Sequence, residues 1–180
     1  SGGCIHQAWL IQLDSGKKLF AKTSTCEKFE MLQFEAYGLQ TLRGFTDSSL
    51  LKIPKPIAIG RIQKKSVLIL PWLDLHSGDQ KSLGAGLALT HKTSSLKNPG
   101  SFGCSQTGFI GLSPQIKGFE ENWGKCFVKL RLLPQLQFAT NWGLKLEDWE
   151  SLLTALMEFL NDHNPVPSLV HGDLWSGNSG

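Results

Sequence analysis

Long basic runs are missing from this 180-residue chain, and no apolar run approaches the roughly 18 residues of a membrane span. The nearest basic cluster, Lys64-Lys65, reads as the solvated edge of a hairpin. With a net charge of only +3, the balance is too mild to predict nucleic acid or an anionic membrane as partner. Cysteine is sparse and scattered: Cys4, Cys26, Cys104 and Cys126 form no C-x-x-C pair, which excludes a zinc finger or a disulfide framework. Reduced thiols and no visible signal peptide predict a cytoplasmic setting. Cys4, in a candidate phosphate loop, is placed where a thiol could meet oxidants. Internal repeats and low-complexity segments are absent. The chain opens Ser1-Gly2-Gly3 with no Met and stops two residues after Asn178, so it reads as a piece of a longer protein. What remains is an ordinary globular composition, 41% hydrophobic, enough to bury a sizeable core in one or two domains.

The most informative stretch lies at the end: His171-Gly172-Asp173-Leu174-Trp175-Ser176-Gly177-Asn178. It has the spacing H-x-D-x-x-x-x-N of a phosphotransferase catalytic loop. Phosphoryl transfer to an alcohol needs a carboxylate to orient the hydroxyl and take its proton. It also needs a neutral oxygen ligand nearby for Mg²⁺. An irregular loop of this length can aim Asp173 and Asn178 at one cavity. The plainer alternative is a turn after a buried strand, since Gly, Asp, Ser and Asn are ordinary turn formers.

From the start, Gly2-Gly3-Cys4 leads into a predicted strand over 5–13, where Trp9, Ile11 and Leu13 alternate. A glycine pair before a strand lets backbone N–H groups approach phosphate, although the full G-x-G-x-x-G is missing. Asp14-Ser15-Gly16 predicts a turn and 18–22 the return strand, which Lys22 closes. Ser24-Thr25-Cys26-Glu27 reads as a capping box. It opens a helix whose apolar stripe is Phe29, Leu32, Ala36 and Leu39 and which Gly44 ends. Glu35 stands one position off that stripe. A strand lysine followed by a helical glutamate is the pair that holds a kinase lysine against nucleotide phosphates; separate surface positions are the alternative.

Ile53-Pro54-Lys55-Pro56 is a rigid connector. Strands follow over 57–62 and 67–70, and Pro71-Trp72-Leu73 stands where a hinge would read adenine through backbone groups. Leu70 and Trp72 are the candidate residues there, with lobe packing the other reading of Trp72. Beyond it the period becomes helical. A helix over 82–95 carries Leu83, Leu87 and His91 on one face, His91 as a packing residue. The stretch 98–114 reads as loop. A helix starts at Trp123, Phe127 and Leu130, and Pro134 kinks or ends it. A helix over 147–160 shows a stripe of Trp149, Leu152, Leu153, Leu156 and Leu160, read as core. Ser168-Leu169-Val170 is predicted as a short strand delivering His171.

These residues, taken in order, resemble the fructosamine kinase (ketosamine kinase) family over essentially the whole chain. The resemblance rests on Gly2-Gly3-Cys4-Ile5, Phe20-Ala21-Lys22, the Glu35 helix, Ile53-Pro54-Lys55-Pro56, Phe109-Ile110-Gly111, Pro114-Gln115, Arg131-Leu132-Leu133-Pro134-Gln135 and the terminal loop. That loop, with Trp175 inside it, is the most specific part. The resemblance implies an α+β, protein-kinase-like two-lobed fold: residues 1–73 an antiparallel sheet with one main helix, residues 74–180 a partial, mostly helical second lobe. It implies ATP with Mg²⁺ and phosphorylation of a sugar hydroxyl on a ketosamine, either a glycated amine or a glycated protein lysine. Departures from the family pattern are Thr107-Gly108, Lys117 and Cys126-Phe127, and the chain stops before the downstream Asp that should bind Mg²⁺. A piece lacking it should be inactive or nearly so.

The roles that follow are Asp173 as proton acceptor and Asn178 as Mg²⁺ ligand. Lys22, steadied by Glu35, would contact phosphates under the Gly2-Gly3 turn. His171 would brace the loop through a backbone hydrogen bond. Trp175 would line the sugar pocket, with Trp123 and Arg131 as further substrate candidates. The rival readings are another small-molecule kinase, of the aminoglycoside or choline type, and a non-catalytic nucleotide-binding module.

Overall fold

The alternation around Trp9 produces a strand, β1 (Gln7–Gln12), which turns back into β2 (Lys18–Thr25). The computed structural model describes residues 5–75, 78–97, 100–145, 149–175 and 177–180. At the predicted turn, Leu13 N–H donates to Lys17 O at 2.9 Å and Gly16 N–H to Leu13 O at 2.8 Å. β3 (Ala58–Ile62) and β4 (Lys65–Pro71) complete an antiparallel sheet in the order β1-β2-β4-β3.

Register decides what faces the core. Phe20, Lys22 and Ser24 of β2 stand opposite Leu70, Leu68 and Ser66 of β4, so all six lie on one face. Helix α1 (Phe29–Phe45) covers it with Leu32 and Ala36, which join Leu68 and Leu70 in a core flanked by Phe20 and Leu39. Burying each such leucine contributes about 1.5–3 kcal/mol relative to leaving it in water.

Two expectations fail around α1. The capping box does not form: β2 continues to Thr25, which pairs with Lys65, and Ser66 Oγ donates to Thr25 O at 2.7 Å. Ser24 is therefore a buried strand residue, and a 3₁₀ turn, Cys26–Lys28, leads into the helix. The ladder with β4 supplies more hydrogen bonds than a cap would. Gly44 does not end the helix either; that falls to Thr46, whose hydroxyl donates to Leu42 O at 2.7 Å.

Helix α2 (Gln80–Lys97) starts earlier than its apolar period suggested, because Asp79 caps it. Ser82 N–H and Oγ–H donate to Asp79 Oδ2 at 2.9 and 2.8 Å, and Lys81 N–H donates to Oδ1 at 3.2 Å. The Ser82 hydroxyl and these backbone N–H groups hold the carboxyl below its ordinary 3.8. A depressed folded value stabilises the fold above the ordinary value, and that stability is lost as pH falls through the folded one. Urea midpoints measured from pH 5 downward therefore fall, and Asp79→Ala removes part of the fall. An unchanged acid limb in the variant contradicts the cap.

The inward ridge of α2 is small and polar: Gly86, Thr90 and Ser94 are buried, with Leu83, Leu87 and His91 half-buried beside them. Gly86 admits Leu51, whose Cβ would stand 2.7 Å from a Cβ built at 86. Thr90 Oγ1 donates to Gly86 O at 2.8 Å and lies 3.1 Å from the Thr46 hydroxyl.

Contacts divide the chain into two units, Ser1–Ser94 with Leu169–Gly180, and Ser95–Ser168. In the second, part of the predicted loop is sheet: β5 (Phe102–Cys104) pairs with β8 (Gly118–Glu120), and β6 (Gly108–Ile110) with β7 (Ser113–Gln115). Three-residue ladders are too short to show a period in sequence. Pro134 does not end its helix. Helix α3 (Trp123–Phe127) passes through a π turn, Val128–Leu132, into α4 (Leu133–Ala139). Pro134 has no N–H for the carbonyl of Leu130, and Arg131 Nη1 donates to that carbonyl at 2.8 Å instead.

Helix α5 (Trp149–Asp162) carries the predicted apolar stripe, yet none of its residues is buried; Leu152 is 57% and Phe159 72% exposed. The start predicted at Glu147 lies outside the described residues. The contact with α3 runs along one edge, where Gly124 N–H donates to Asn161 Oδ1 at 2.8 Å. A short helix cannot cover a stripe spread over five positions. Among the described residues no helix is long and apolar enough to cross a membrane.

Candidate active site

Lys22 reaches α1 because β2 is in register with β4: opposite Leu68, it points to the face the helix covers. Glu35, one helical position before the buried Ala36, meets it there. Lys22 Nζ and Glu35 Oε1 are 2.6 Å apart, with 29% and 27% of the side chains exposed. A half-shielded pair holds the lysine in one direction more than it stabilises the fold.

The charges of both residues act on His6, a residue no motif in the sequence singles out. Its Nδ1 is buried without a hydrogen-bond partner. Burial pushes the imidazole below its ordinary value; Glu35 opposes that, while Lys22 and Lys28 add to it. The only signal in the sequence was its place just after the glycine pair. Gly2, Gly3 and Cys4 lie outside the described residues.

Near the end of β4, an inner strand, Leu70 is only 5% exposed and its side chain belongs to the core. Trp72 follows the end of β4 and packs on Phe20, ring centroids 6.4 Å apart, with 41% of its surface exposed.

The predicted strand before His171 is absent. Residues 168–170 are irregular, and their anchor is a side chain: Leu169 N–H donates to Ser94 Oγ at 2.9 Å. That hydroxyl spends its own hydrogen on His91 O, 2.9 Å away, so it must accept from residue 169. The period of four in Gly86, Thr90 and Ser94 was the available signal, masked by the larger residues beside it. Ser94→Ala leaves a backbone donor unpaired two residues before His171 and costs about 1–3 kcal/mol. Urea denaturation measures the loss, and amide exchange at Leu169 locates it; an unchanged midpoint contradicts the anchor.

The loop is then closed by its own residues. Asp173 N–H donates to His171 Nδ1 at 3.3 Å. Asn178 Nδ2 donates to Asp173 Oδ2 and to Asp173 O, both at 2.9 Å. Asn178 N–H donates to Trp175 O at 2.8 Å, and Ser179 Oγ donates to the same carbonyl at 3.0 Å. The carboxylate of Asp173 is solvent-exposed, and Trp175 is 56% exposed. Asp173 and Asn178, five positions apart, are thus held side by side with two kinds of oxygen donor. Among the described residues no group of three or more His, Cys, Asp or Glu could hold a metal ion. A cation here would depend on this carboxylate–amide pair and on oxygens of a bound phosphate.

Trp123 and Arg131 belong to the other unit. Trp123 sits between Phe102 and Phe127, ring centroids 5.7 and 5.5 Å away. Arg131 Nη1 donates to Ile116 O at 2.9 Å as well as to Leu130 O, so its guanidinium ties backbone together. Beside them the Cys126 thiol is buried, and burial pushes it above its ordinary value, which leaves it inert.

A sheet lysine tied to a helical glutamate, together with an H-x-D-x-x-x-x-N loop, is the arrangement of the kinase-like α+β fold. Comparison with known proteins narrows the class. The family model for fructosamine kinase matches residues 1–180, and the chain belongs to that family. A probable ketoamine kinase of Synechocystis is 33% identical over 181 residues, covering 99% of this chain and 59% of that protein. The probable ketoamine kinase YniA of Escherichia coli is 29% identical, over 98% and 60%. Among solved structures, a Haemophilus somnus protein named for fructosamine-3-kinase superposes with a TM-score of 0.80 at 26% identity, over 97% of this chain and 58% of its own. One of the same name from Thermobifida fusca gives 0.70 at 25% identity, over 99% and 61%. The chain thus spans about 60% of the length of the relatives it matches. The expected fold class, an antiparallel sheet with one main helix and a mostly helical remainder, is the one found.

Proposed function

We propose that this chain carries the nucleotide-binding and catalytic elements of an ATP-dependent kinase that phosphorylates a sugar hydroxyl of a ketosamine, on a glycated amine or a glycated protein lysine. One observation carries the reading: the Lys22–Glu35 ion pair and the Asp173–Asn178 loop fall in the same compact unit. In this reading residues 1–73 serve the nucleotide, and residues 74–180 begin the acceptor side and end in the catalytic loop.

The chemistry follows from the side chains. Asp173 accepts the acceptor hydroxyl's proton as its oxygen bonds to the γ-phosphorus and the bridging bond to ADP breaks. Lys22, aimed by Glu35, neutralises phosphate charge, with Gly2 and Gly3 offering backbone N–H groups. Leu70 and Trp72 border the adenine. His171 keeps the backbone at Asp173 in place. Trp175 lines the sugar site, and Trp123 and Arg131 are further substrate candidates. The residues fit Mg²⁺: Asn178 spends its amide nitrogen on Asp173 and keeps its amide oxygen as a ligand, the hard donor this ion takes. When bound, the ion screens phosphate charge. Cytoplasmic placement belongs to the same reading.

ATP consumption by the full-length protein on fructosyl-lysine, an aminoglycoside and choline tests it. Turnover on fructosyl-lysine alone is expected. Turnover on the aminoglycoside or choline, with none on fructosyl-lysine, rejects the acceptor. Mg-ATP binding with no turnover on any of them, unchanged by Asp173→Asn, rejects catalysis.

A further inference from the structure

The catalytic loop contains two glycines that serve different purposes. Gly172 has φ +83°, a left-handed conformation that side chains resist, and nothing lies within 4 Å of where its Cβ would be. Gly177 is the reverse. Its φ is outside the left-handed region, so backbone geometry alone would admit any residue. Its space is taken instead: a Cβ there would stand 2.2 Å from Trp175 Cη2 and 2.5 Å from Cζ2 and Cζ3. Ordinary contact begins about 1 Å farther out. The indole therefore lies back over the bare backbone at residue 177.

We propose that Gly177 is a positioning residue for the acceptor, its missing side chain letting the Trp175 ring lie on the loop beside Asp173. The inference rests on the assignment of Trp175 to the sugar site. The ring's seat is continuous with the catalytic pair. The Trp175 carbonyl accepts from Asn178 N–H and Ser179 Oγ, while the Asn178 side chain holds Asp173. One closed turn thus sets the ring and the carboxylate together. The colliding atoms are the far end of a side chain that is 56% exposed, so a methyl at 177 pushes the ring aside instead of unfolding the loop.

The test uses the full-length protein with 5-fluorotryptophan incorporated and the Trp175 resonance identified by its loss in Trp175→Phe. Gly177→Ala is expected to shift that ¹⁹F resonance and leave the thermal midpoint near wild type. It should lower kcat/KM for fructosyl-lysine roughly ten- to hundredfold, the scale of an ångström-sized misplacement, with KM for ATP unchanged. In a Trp175→Ala background the same substitution should have no further effect. An unmoved resonance overturns the proposal at the level of packing. A moved resonance with full activity on fructosyl-lysine overturns the acceptor role, and the Trp175 assignment with it. A loss of activity that persists in Trp175→Ala shows that Gly177 acts through something else and also overturns it.

Discussion

Replacing Asp173 with asparagine in the full-length protein lowers kcat on fructosyl-lysine by about 10³-fold, within the 10²–10⁴ a positioned proton acceptor supplies. Asparagine keeps the shape and still offers an oxygen to the Asn178 amide, 2.9 Å from the carboxylate it replaces. It loses the negative charge that draws the hydroxyl's proton. ATP binding, followed by calorimetry, stays within about threefold, because an interaction made mainly in the transition state leaves ground-state affinity alone. Since the carboxylate is exposed and the loop is braced by backbone and Asn178, the fold survives the change. A variant that keeps a kcat within tenfold of wild type removes Asp173 from the chemistry.

Lys22→Ala comes second, with kcat/KM for ATP down about 10²–10³-fold, the usual loss for one preorganised charge-stabilising donor. The decisive comparison is with Glu35. If Glu35 acts only by aiming Lys22, Glu35→Ala costs less than Lys22→Ala, and the double variant is no worse than Lys22→Ala alone. Steady-state kinetics in varied ATP measure all three. Additive losses would mean that the 2.6 Å contact between them is incidental. Stability should hardly register any of these changes, because a pair about a quarter exposed contributes within roughly 1 kcal/mol.

Much of the candidate site could be read from residues alone. The turn at Asp14-Ser15-Gly16 put Lys22 on the return strand, period 3.6 put Glu35 beside the buried stripe, and a fixed spacing joined Asp173 to Asn178. The structure brings each of those pairs into contact. The misses share a cause. Ser24 was read as a cap because its local spacing suits one, but a ladder with residues 65–71 took it for the sheet. The strand expected before His171 rests on the two apolar residues Leu169 and Val170. The segment hangs on Ser94, 75 positions earlier, and no local pattern could announce that.

By itself the sequence determined whatever depends on neighbours along the chain: the strand and helix periods, the turn at Asp14-Ser15-Gly16, and the spacing within the terminal loop. Only tertiary structure decided which small polar residues are buried, which carbonyls need a donor, and where the ring of Trp175 rests. Those outcomes depend on desolvation and on volume shared between distant segments. A hydroxyl such as that of Ser94 costs free energy or gains it according to a partner that chain order does not reveal.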